Sequence, residues 1–64
     1  MQDRDEVGKV VRDAWIRWAL TQPSPKLSWF TKYEDLSEAD KEADRQIGEA
    51  VIKHYIEKQR DFHG

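Results

Sequence analysis

Tyr33-Glu34-Asp35-Leu36-Ser37-Glu38-Ala39-Asp40-Lys41-Glu42-Ala43-Asp44-Arg45 reads as a tyrosine-led turn running into an acidic helix start that supplies its own cap. Leu36 precedes Ser37, whose hydroxyl can accept a hydrogen bond from a backbone amide of the first helical turn. Asp40, three residues on, stands where a longer glutamate would complete a capping box. From this start the spacing predicts a helix over Glu38 to about Lys58, with Ala39, Ala43, Ile47, Ala50 and Val51 on one face. Acids crowd its first turn and Lys53, Lys58 and Arg60 lie near its end, as the helix dipole favours.

Upstream, Val7, Val10, Val11, Ala14, Trp15 and Trp18 recur at helical spacing and predict a first helix from about Asp3 to Gln22. Asp5 with Lys9, and Asp13 with Arg17, are acid-before-base pairs four apart that support it. Pro23 and Pro25 stop it, because proline lacks the amide proton and restricts the residue before it. The stretch from Pro23 to Leu36 holds Leu27, Trp29, Phe30 and Tyr33, too many apolar rings for an idle linker. The expected fold is therefore mainly α: two antiparallel helices joined by a long aromatic-rich loop, with a short extended segment around Leu27 to Thr31 as an option. Residues 3–58 form the single module, and 59–64 are expected to fray.

Composition limits what such a chain can do. Sixty-four residues make one domain with a thin core, and charged residues reach 38% where about 25% is usual. The net charge of −2 comes from interleaved signs, which gives no footprint for duplex nucleic acid or an anionic membrane. Without cysteine there is no disulfide or thiolate zinc site. The polar start Met1 to Glu6 lacks the apolar core of a signal peptide, so a cytoplasmic location is expected, with the mature chain as the whole chain.

Catalysis has no support: there is no nucleophile elbow, no glycine-rich phosphate loop and no histidine pair at metal spacing, so neither an enzyme nor a cofactor is expected. His54 falls on the second helix's apolar stripe, and His63 lies in the terminal Asp61-Phe62-His63-Gly64. Ile16, Leu20, Ile52 and Ile56 project away from the two stripes. They are loop-covered or surface residues, or else an interface. A homodimer face would relieve the small core, since a two-fold contact needs only one self-complementary patch.

The segment from Tyr33 to Arg45 resembles the closing segment of the ryanodine-receptor repeat (RyR) domain, which reads tyrosine, two acids, leucine, serine and acid, then a lysine and an aspartate at fixed steps. Here those steps are Lys41 and Asp44, and Ala14-Trp15 in the first helix also fits. The likeness extends over residues 7–56 and is sharp over Trp29 to Asp44. Lys32 replaces the usual proline, Arg12 stands where histidine is frequent, and Pro23-Ser24-Pro25 shortens a glycine-rich turn. Such repeats occur in tandem pairs, which a homodimer of this chain would rebuild. They also occur as stand-alone modules in bacteria and their viruses, where the resemblance implies recognition of a small anionic, nucleotide-like ligand.

For that ligand, Trp29, Phe30 and Tyr33 can offer a stacking face, and Arg12, Lys26, Lys32 and the amides at Ser37 can hold phosphate. The same aromatics can instead close a core and the lysines can simply be solvated. The second function open to the chain is a protein-interaction or inhibitor module that docks through Ile16, Leu20, Ile52 and Ile56.

Overall fold

The computed structural model describes residues 3–63, with side chains described up to residue 60. The side chains of Phe62 and His63 lie outside the described residues, as do Met1, Gln2 and Gly64. Helix α1 spans Arg4–Ala19 and helix α2 spans Glu38–His63, with two 3₁₀ turns, Leu27–Phe30 and Tyr33–Asp35, between them. No strand occurs among the described residues.

Asp3 opens α1 by accepting a bond from the Asp5 amide at 2.9 Å. The helix ends at Ala19, earlier than Pro23 alone requires, because the Thr21 and Gln22 amides turn back to the carbonyls of Trp18 and Ala19. The Thr21 hydroxyl takes the same Trp18 carbonyl at 2.6 Å. Around Leu27 to Thr31 the expected extended piece is replaced by a 3₁₀ turn. The Trp29 amide donates to Lys26, and both the amide and the hydroxyl of Thr31 donate to the Ser28 carbonyl, which curls the chain locally. The cap at Ser37 is half of a box: its hydroxyl oxygen accepts the Asp40 amide at 3.2 Å, and the short aspartate makes no return bond among the described residues.

The face of α2 that meets α1 is not the apolar stripe. Ala39, Ala43, Ile47, Ala50 and Val51 are all exposed, while Asp44, Arg45 and Gly48 are buried and Lys41, Glu49 and Ile52 half-buried. The buried set lies roughly 140° round the helix from the stripe. Two features select it. Gly48 has no side chain, so Val7 and Val11 of α1 approach its backbone directly. Asp44 and Arg45, one turn earlier, find hydrogen-bonding partners that no alanine face offers.

On α1 the stripe is divided between three tasks. Val7 and Val11 meet Gly48, Val10 and Ala14 stay exposed, and Trp15 and Trp18 turn to Trp29. The three indoles form one cluster with centroids 4.9 to 6.0 Å apart. Such tilted and edge-on arrangements suit the ring quadrupoles.

The resulting core is small. Ala19 and Tyr33 are its only buried apolar residues among those described, and no large side chain is fully buried.

Candidate functional site

Tyr33 and Arg45 organise the centre of the molecule. The Tyr33 hydroxyl donates to Asp5 Oδ1 at 2.7 Å. Arg45 spends its whole guanidinium around it: Nη1 donates to Asp5 at 2.9 Å and to the Tyr33 oxygen at 3.2 Å, Nη2 to Glu38 at 2.6 Å, and Nε to Glu42 at 3.0 Å. Lys41 sits 5.7 Å from the centroid of the Tyr33 ring, within cation–π range. Arg4 extends the network outward, bonding Glu49 at 2.8 and 2.9 Å and Glu42 at 2.9 Å. A planar guanidinium with five donors is the side chain that can serve several carboxylates at once.

These contacts move the acids in one direction. The Tyr33 hydroxyl, then Arg45, hold the Asp5 carboxyl below its ordinary range. Hydrogen bonds from Arg4 and then Gln46 bring Glu42 from 4.5 to about 2, and Arg4 also lowers Glu49. Burial, with Asp5 next in weight, raises the Tyr33 phenol.

Each depressed carboxyl binds its proton more weakly when folded than when unfolded, so its stabilisation is complete above the ordinary value and is lost as pH falls. Thermal melts followed by circular dichroism should therefore show a falling Tm from about pH 4.5 down to about pH 2. Glu42→Gln should flatten the lower part of that decline. A Tm unchanged from pH 7 to pH 2.5 would remove the network from any role in stability.

The predicted ligand residues are not brought together. Arg12 is bound to Asp44 through Nε at 2.9 Å and Nη2 at 3.2 Å, and its side chain is 16% exposed against 7% for Asp44. Tyr33 is a buried network member, Ser37 is occupied as a cap, and Trp29 and Phe30 are half-buried, Trp29 against Trp15 and Trp18. Lys26 and Lys32 remain exposed. Lys32 joins Lys9 and Arg17 round a hollow floored by Ile16 and Leu20, with Asp13 and Glu34 on its rim. Lys9 lies 3.5 Å from Glu34 there.

The proposed interface quartet also divides. Ile16 and Leu20 share that hollow, while Ile52 and Ile56 line another beside Glu49 and Lys53. Ile16 and Ile52 are half-buried, and Leu20 and Ile56 are 69% and 51% exposed. His54 is exposed next to Val51, Tyr55 and Lys58.

Residue-by-residue reading missed an apolar groove. This groove of about 550 Å³ runs between the helices, walled by Val7, Val10 and Ala14 of α1 and Val51 and Ile52 of α2, with Gly48 in its floor. Asp3 and Glu6 mark one rim. The available signal was glycine inside two periodic helices, which usually has a packing reason. No group of three or more His, Asp or Glu among the described residues is placed to hold a metal ion. Among the described residues, no helix is long and apolar enough to cross a membrane. No family model, no curated protein and no solved structure matches the chain.

Proposed function

We propose that this chain is a small non-enzymatic interaction module that docks through exposed apolar helix faces. One observation carries the reading: the large apolar side chains that a chain of this size needs for its own core are spread over its surface. Val10, Ile47, Val51 and Tyr55 are each more than half exposed, and no large side chain is fully buried among the described residues. Scattered single apolar residues are ordinary, whereas a continuous set beside an open groove marks an interaction surface. The antiparallel arrangement belongs to this reading. The pairs Arg4 with Glu49, Gly8 with Arg45 and Arg12 with Asp44 support it, the second number falling as the first rises.

A second reading keeps the RyR resemblance and places a small anionic, nucleotide-like ligand in the hollow of Lys9, Arg17 and Lys32. Three cations round an apolar floor support it.

One experiment separates the two. An environment-sensitive apolar dye titrated into dilute protein should brighten, Val10→Glu should remove most of that signal, and mono-, di- and cyclic nucleotides should leave the Tm unchanged. A dark titration with helical circular dichroism intact would sink the docking reading. A Tm raised by one nucleotide class would transfer the function to the second.

A further inference from the structure

We infer that the partner on the exposed face of α2 is a second copy of this chain, paired antiparallel through α2 about a two-fold axis near Glu49. The inference rests on the docking reading and names its occupant.

Surface area gives the first argument. A compact 7.6 kDa protein exposes about 4,300 Å², whereas this chain exposes 5387 Å². The excess, about 1,100 Å², is more than the roughly 800 Å² that each partner contributes to an interface of standard size. The radius of gyration agrees: 14.2 Å where about 11 Å is expected for this length. The 26 residues of α2 span about 39 Å, most of the molecule's 46 Å long axis. The helix thus offers a long, largely uncovered side.

The sequence of α2 gives the second. At 100° per residue, Asp40, Ile47, Tyr55 and Lys58 all lie within about 40° of Val51. Ile47, Val51 and Tyr55 on this face are 54%, 64% and 64% exposed. Its charge is arranged in opposition. Exposed Asp40 lies near its start and exposed Lys58 near its end, while Glu38, Glu42 and Asp44 are taken up within the chain by Arg45, Arg4 and Arg12. A parallel pairing would set like charges together, and an antiparallel one sets Lys58 on Asp40.

The register follows from the same face. Asp40 and Lys58 make no ion pair among the described residues. Placing Lys58 opposite the second copy's Asp40 brings Ile47 opposite Val51 and Tyr55 opposite the small Ala43. Two-fold symmetry repeats each of these pairs. Apolar thus meets apolar and Lys58 meets Asp40 in a single register, which a foreign partner has no reason to share.

Sedimentation of the full chain at micromolar to millimolar concentration should give twice the 7.6 kDa mass. Val51→Glu should weaken association at least a hundredfold while helicity is kept, since Val51 is exposed in the single chain. Lys58→Asp should weaken it about tenfold, and adding Asp40→Lys should restore it to within threefold. Because the chain has no cysteine, Ile47→Cys mixed with Val51→Cys should yield a crossed disulfide on oxidation, and Leu20→Cys with Val51→Cys should not.

A mass of 7.6 kDa throughout, or a dimer indifferent to Val51→Glu, would overturn the assignment. A dimer that lacks both the crossed disulfide and the charge-swap rescue would overturn its register. A monomer that still brightens the apolar dye would leave the docking reading standing with another partner, and a monomer that does not would remove both.

Discussion

Asp44→Ala should unfold the chain or lower its Tm by about 12–40 °C. Removing this carboxylate strands the Arg12 guanidinium, which is 16% exposed and directs both Nε and Nη2 at Asp44. Breaking a buried pair from one side costs about 3–5 kcal/mol, because the remaining charge stays out of water without a partner. Native stability is usually about 5–15 kcal/mol, and a chain with so few buried apolar groups belongs at the low end. One kcal/mol moves the Tm of a domain this size by about 4–8 °C, which gives the expected range.

Removing both charges separates an unpaired ion from a fold that needs the pair. Arg12→Met with Asp44→Leu should recover most of the loss, since well-packed apolar replacements of buried pairs are often neutral or better. Melts by circular dichroism decide it. A loss in the double variant as large as in Asp44→Ala would show that the pair supplies specificity that packing cannot replace.

This pair also shows how far the sequence can be read. The two helices and the Ser37 cap were legible, because each depends on neighbours within about four residues. Arg12 was not, and was assigned to a ligand. Its partner lies 32 residues away, and periodicity carries no information about which charge meets which across two elements. The same limit hid Arg45: a base three residues after an acid looks like surface pairing, whereas here it also reaches back to Asp5, 40 residues earlier.

The stripe on α2 failed for a related reason. Apolar periodicity identifies a face to be covered, without saying whether the cover is the same chain. In a larger domain the two coincide. Here α1 takes the face of Gly48, Asp44 and Arg45, and the apolar stripe is left outward. The candidate site was legible to the same degree: the presence of surplus aliphatics could be read, but not their grouping, since Ile16 with Leu20 and Ile52 with Ile56 fall in separate hollows.

Gly8→Ala should lower stability although alanine is the better helix former, and Gly8→Leu should prevent folding. A Cβ at position 8 would stand 2.5 Å from Tyr33 Cε1, 3.0 Å from Cζ and 3.1 Å from Arg45 Cγ. The ring cannot easily swing aside, because its hydroxyl is tied to Asp5 and Arg45. Overpacking of this kind costs about 1–3 kcal/mol, against a gain of about 1 kcal/mol in helix propensity, so the balance is a loss of up to about 2 kcal/mol. Gly48→Ala meets Val7 Cγ1 more closely still, with Val11 Cγ2 at 3.0 Å and the Val7 carbonyl oxygen at 3.4 Å, and these stiff β-branched side chains can yield only by a shift of α1. It should cost at least as much as Gly8→Ala. The measurement is the pair of Tm values against wild type, with near-ultraviolet circular dichroism reporting on Tyr33 and the tryptophans. A Tm raised by Gly8→Ala would mean that Tyr33 gives way without losing its bonds. The close approach of α1 to the Tyr33 network would then be a consequence of the fold and not one of its causes.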